Sequence, residues 1–163
     1  MSFGSQRGEW GVIALSLLVA LCLTVLPLPA WAGWARPEWV ALVVLYWVVM
    51  APDHFGIGAA WLVGLLLDIL EGAPLGGNAF SLAVVAYIAL ILYQRLRMYG
   101  VLQQIALVFV LIGLHQLIGH WVQTLTARVA PTLLFLLPAL VSALLWPTLL
   151  WLLGRLRPPT PVV

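Results

Sequence analysis

The chain has 163 residues, 64% of them hydrophobic and 7% charged, with a formal net charge of +2 and a mean hydropathy of +1.13. A soluble domain carries about 25% charged residues, so this composition cannot cover a water-facing surface, and the chain is read as an integral membrane protein. All the positive charge comes from seven arginines, which fit membrane edges and not a nucleic-acid footprint, and the single Cys22 excludes an intrachain disulfide or a zinc-finger pattern.

Uncharged stretches at 10–35, 39–52, 54–67, 72–94, 98–127 and 129–154 mark the candidate spans. A helix rises about 1.5 Å per residue and the hydrocarbon core is about 30 Å thick, so about 20 residues cross it. The first element is expected near 10–29. Arg7, the apolar run and Ala30-Trp31-Ala32 resemble a cleaved secretory signal. However, Glu9 offsets the arginine and Pro27 and Pro29 fit a helix exit, so the segment is read as retained. The second and third elements, around 37–52 and 55–71, are short. They are either short spanning helices or a re-entrant hairpin shielded by its neighbours. Trp39, Tyr46, Trp47 and Trp61, with Trp31 and Trp34 upstream, read as interface anchors. Asp53 and His54 supply too few ligands for a metal.

The third element carries the most information. Gly56, Ala60, Gly64, Asp68 and Gly72 recur every four residues and share one helical stripe, which lets another helix approach closely. Asp68 continues that stripe and should face protein. A buried carboxylate needs a partner, and Arg36, at the start of the second element, is the expected one. Asp68 is read as structural in preference to a ligand or proton site, and Glu71 as nearer the surface. The cluster Gly72 to Asn78, which includes Gly76, is a turn. The fourth element follows near 77–94, the fifth near 101–123 and the sixth near 132–154. In the fifth, Gln116, His120 and Gln123 lie on one face at i, i+4, i+7, beside His115. A polar stripe inside a span points to interhelical hydrogen bonds or a partner contact. No catalytic set, nucleotide loop or paired metal motif is present, so neither an enzyme nor a cofactor is expected.

The expected fold is therefore all-α: a single transmembrane domain over 1–163, with a short tail at 1–9, an arginine- and proline-rich tail at 155–163 and about six helices. Six spans leave Arg7, Arg95, Arg97, Arg155 and Arg157 on one side and Arg36 and Arg128 on the other. The positive-inside rule puts both termini in the cytoplasm.

Arg36-Pro37-Glu38-Trp39, Tyr46-Trp47, Pro52, Gly56-x-Gly58, Gly64-Leu-Leu-Leu-Asp68, Gly72-x-Pro74-Leu-Gly76, Tyr87 and Gln94-Arg95 together resemble the MreD family of rod shape-determining membrane proteins. The likeness runs through residues 36–97 and continues loosely into the fifth element with Gln104 and Gln116. It implies a non-enzymatic component of the cell-elongation complex in the bacterial inner membrane. The implied partners are MreC, MreB, RodA and the elongation-specific transpeptidase, together with membrane lipids and no nucleic acid. It also implies a fold similar to the substrate-binding subunits of energy-coupling-factor transporters. The alternative function is a vitamin or small-molecule transport subunit, or a lipid-handling protein, with a ligand cavity around Asp68, Glu71 and Asn78.

Overall fold

The computed structural model describes residues 3–126 and 133–156, with side chains from residue 8 onward. Arg7, Arg128, Arg157 and most of the 155–163 tail, all used in the topology argument, lie outside the described residues or side chains. Six α-helices follow in chain order: α1 Phe3–Val25, α2 Trp39–Met50, α3 Ile57–Glu71, α4 Gly77–Met98, α5 Val101–Thr126 and α6 Leu137–Leu156. Short 3-10 turns occupy Gly33–Ala35 and Leu133–Leu136, and no strand occurs among the described residues. Among the described residues, four helical segments are long and apolar enough to cross a membrane: Gly8–Val25, Gly77–Met98, Val101–Thr126 and Leu133–Leu156. The all-helical, multi-pass membrane character expected from composition is the character of the fold.

Prolines and glycines set the helix limits. α1 stops ahead of Pro27, and it begins at Phe3, inside the stretch read as a tail. α2 starts just after Pro37 and ends before Pro52. α3 ends at Gly72, whose φ of 63° lies in the left-handed region. There the Ala73 N–H donates to Asp68 O at 3.0 Å and the Gly72 N–H to Ile69 O at 3.4 Å, a Schellman closure that needs a residue without a Cβ penalty. Gly76, with φ of 100°, turns the chain into α4.

The core centres on α2. Every residue from Val40 to Val49 is buried, in contact with α1, α4, α6 and, less extensively, α5. A helix apolar all round is a helix enclosed by protein. At 12 residues, α2 is about 18 Å long, well short of the hydrocarbon thickness. The longer helices around it bridge the difference. This corrects the reading of Tyr46 and Trp47 as interface anchors: both are at most 2% exposed, and the Trp47 Nε1–H donates to Ser16 Oγ of α1 at 2.8 Å. Trp31, Trp34 and Trp61 are exposed, as the anchor reading requires.

Two polar clamps hold the helix ends. The Arg97 guanidinium, from the last turn of α4, donates through Nε to Val49 O at 3.0 Å and through Nη2 to Met50 O at 2.7 Å. These carbonyls end α2 and have no acceptor role within it, so a cation there satisfies both geometry and helix dipole. Gln104 Nε2 donates to Leu96 O and Tyr99 O at the end of α4, and Gln104 Oε1 accepts from Trp146 Nε1 of α6.

Candidate functional site: a polar cavity at one end of the bundle

The end opposite Arg97 gathers the turn between α3 and α4, the segment before α2, the second half of α5 and the start of α6. Asp68, in the last turn of α3, is fully buried. Its Oδ2 accepts from the backbone N–H of Gly76 at 2.9 Å and of Ala79 at 3.3 Å, and its Oδ1 from that of Asn78 at 2.9 Å. The Gly77 N–H donates to Pro74 O. All the N–H groups that open α4 before its own ladder begins are thus satisfied. Asp68 is the N-terminal cap of the next helix, supplied from the preceding one, and its charge complements the positive end of the α4 dipole.

This replaces the expected Arg36–Asp68 pair. The Arg36 Nη2 donates instead to Leu23 O at 3.2 Å, closing the end of α1, and its charge acts on Glu71. A carboxylate can be satisfied by backbone donors as well as by a cation, and the tight turn from Gly72 to Gly77 brings those donors first. The space that Asp68 lines, with Gly77, Asn78 and Val122, is about 10 Å³.

The small-residue stripe divides by role. A Cβ placed on Gly64 would meet Ala79 Cα, with Ala79 N at 2.7 Å and Asn78 C at 2.8 Å, so α3 and α4 touch backbone to backbone there. Ala60 is fully buried on the same face. Gly56 and Gly72 have open space where a Cβ would be, so the packing reading does not extend to them, and Gly76, read as part of the turn, has open space too. Gly72 and Gly76 are fixed by backbone conformation instead.

Beside the Asp68 cap lies an open polar cavity of about 240 Å³. Gln116, His120 and Gln123 line it from α5, together with His115 and Gly119, so the i, i+4, i+7 stripe faces one space. Glu71 and Asn78 line it from the α3–α4 turn, Glu38 from below, and Phe135 and Pro138 from the approach to α6. Its walls are cross-linked. Asn78 Nδ2 donates to Glu71 Oε2 at 3.1 Å, and Gln116 Nε2 donates to Glu38 Oε1 at 3.2 Å. Buried His115 shares a 2.7 Å hydrogen bond between its Nδ1 and Ser81 Oγ. The His120 ring stacks on Phe135 with centroids 5.1 Å apart and planes at 7°. Among the described residues, two buried side-chain polar atoms have no hydrogen-bond partner: Gln116 Oε1 and His120 Nε2.

Glu38, Gly119, Phe135 and Pro138 are the lining residues to which sequence reading gave no site role. Glu38 lies 78 residues from Gln116, and its only local signal is a carboxylate beside Pro37 at the start of an apolar helix. Asp68, expected at a ligand cavity in the alternative reading, does not line this one, nor does Arg36, and Gly56 and Ala60 lie toward the other end of α3. Among the described residues, no three His, Cys, Asp or Glu side chains converge as a metal site.

The fold and the cavity define a small polytopic helical membrane protein with a polar recess at one end. The family model described as rod shape-determining protein MreD matches residues 6–156. The rod shape-determining protein MreD of Haemophilus influenzae is 31% identical over 161 residues, covering 91% of this chain and 92% of that protein. No solved structure matches the chain. The chain belongs to the MreD family, and it is a rod shape-determining membrane protein.

Proposed function

We propose that this chain is a non-enzymatic scaffold of the cell-elongation complex in the bacterial inner membrane, supporting peptidoglycan synthesis together with MreC. MreB, RodA and the elongation-specific transpeptidase are the further members of that assembly. The observation that carries the reading is family membership across residues 6–156. The fold supports it: the described residues form one helical bundle with short connections, so a partner must be met on helix faces or at the two ends. In this reading all six helices cross the bilayer, α2 and α3 as short spans. The arginine-rich end with Arg95, Arg97 and Arg155 faces the cytoplasm, and the polar cavity faces outward. The likeness to substrate-binding subunits of energy-coupling-factor transporters belongs to the same reading and rests on the family resemblance and the six-helix order.

The cavity at Glu71 and Asn78, where the transport reading puts its ligand, is small and polar for a transported molecule. Sites that bury a drug-sized ligand run to about 300–1,000 Å³ and are mostly apolar; this one is about 240 Å³ and lined mainly by polar side chains. Depletion in the host followed by microscopy tests the reading. Rounded cells, with MreC recovered on the tagged chain before depletion, are expected. Rods of normal shape overturn it.

A further inference from the structure

The unpartnered atoms of the cavity point to its occupant. Gln116 has its Nε2 committed to the Glu38 carboxylate, which fixes the orientation of the amide: rotating it would set oxygen against oxygen. The Oε1 is therefore an acceptor, buried and without a donor. Buried polar atoms are almost always paired, so an orphan on a cavity wall marks a missing donor. His120 Nε2 is the second orphan on the same wall, and in one tautomer it too accepts.

The charges agree with this. Glu38 and Glu71 both line the space, close enough for the charge of one to act on the other. No arginine is among the described lining residues, and Arg36, a cation that acts on Glu71, is held by the Leu23 carbonyl. Among the described residues the cavity thus offers two carboxylates and an orphan carbonyl and no cation to answer them. Ammonium and guanidinium groups carry donors and no acceptor, and one positive charge. A volume of about 240 Å³ is several times the roughly 30 Å³ that one water occupies in the liquid, so it admits such a group with its stem. The walls of this open cavity come from the end of the bundle opposite Arg97, where both soluble cations and lipid headgroups arrive.

We infer that the recess between Glu38, Glu71 and Gln116 is a receptor for a single ammonium or guanidinium group. The inference is independent of the partnership with MreC: a failure here leaves the scaffold standing, and depletion phenotypes do not bear on it.

The test uses the full chain in phosphatidylcholine nanodiscs, whose headgroups carry no N–H donor, with methylguanidinium as probe and methylurea as its neutral match in shape. Ligand-detected NMR titration at constant ionic strength should give saturable binding of methylguanidinium and none of methylurea. Glu71→Gln and Glu38→Gln should each weaken it about tenfold or more, since each removes a charged acceptor. Asp53→Asn, on an exposed turn at the opposite end, should leave it unchanged. Repeating the titration in phosphatidylethanolamine nanodiscs separates the sources. Loss of methylguanidinium binding there identifies the lipid ammonium headgroup as occupant, and retained binding identifies a soluble cation. Equal binding of methylurea by the unaltered chain, or no saturable binding of either probe in phosphatidylcholine, overturns the inference without recourse to any variant.

Discussion

Three backbone N–H groups converge on the Asp68 carboxylate, and this settles what a charge does in so apolar a chain. Asp68→Ala would strand those donors at the buried start of α4. Losing a cap costs about 0.5–2 kcal/mol, and each buried donor left unpaired adds about 1–3 kcal/mol at most, not additively. The variant should be lower in membrane abundance and thermal midpoint, with Asp68→Asn between it and the parent because one side-chain oxygen remains to accept. Because Arg36 binds Leu23 O and not Asp68, the losses from Arg36→Ala and Asp68→Ala should add within about 0.5 kcal/mol. A coupling well above that, in a double-mutant cycle on the thermal midpoint, would restore the ion pair. Gly64 makes the steric counterpart. Even Gly64→Ala forces its Cβ against the Ala79 backbone, which cannot swing aside as a side chain would. Leu66→Ala, at a residue 51% exposed, should be tolerated. Equal melting temperatures for these two variants would mean that α3 and α4 do not touch there.

At the scale of the element, α2 is the helix whose character sequence reading caught least well. Its shortness and its proline limits were legible, because Pro37 and Pro52 act locally. Its enclosure stood only as one of two alternatives, the hairpin shielded by its neighbours. An aromatic near a helix end reads as an interface anchor unless the neighbours that bury it are known, and those neighbours come from α1, α4 and α6. Trp47→Ala should therefore destabilise by about 3–5 kcal/mol, whereas Trp61→Ala, exposed on α3, should stay within about 0.5 kcal/mol. Thermal unfolding followed by tryptophan fluorescence compares them directly. The clamp from Arg97 is a smaller effect: Arg97→Ala should lower stability by about 1 kcal/mol, as expected for an exposed cation at a helix C-terminus. Arg97→Lys should recover part of this, since a lysine keeps the charge and loses the fork that reaches two carbonyls at once.

For the whole molecule, the asymmetry between the two ends is the organising feature. One end carries Arg95, Arg97 and Arg155; the other carries Asp68, Glu71, Glu38 and the histidines and amides of α5. With the first of these ends in the cytoplasm, a reporter fused after residue 163 should be active as a cytoplasmic domain. A periplasmic readout would reverse the bundle and put the polar cavity on the inner side. Either result also tells on which side of the membrane a cation must arrive to reach Glu38 and Glu71.

Sequence alone determined the membrane class, the number and order of helices, most of their limits and the face of α5 that carries Gln116, His120 and Gln123. These follow from composition, from chain breaks at proline and glycine, and from the 3.6-residue period, all of which are local. It also determined that Asp68 must face protein, because an acid following small residues at four-residue spacing lies on their face. Tertiary structure alone decided what Asp68 binds, since its partners are backbone N–H groups, which every residue but proline possesses and which leave no mark in a sequence. It likewise decided that Gly64 and not Gly56 is the point of contact, that Tyr46 and Trp47 are core, and that Glu38 meets Gln116. Each of these depends on which surfaces distant segments bring together, and burial of a side chain is a property of its neighbours.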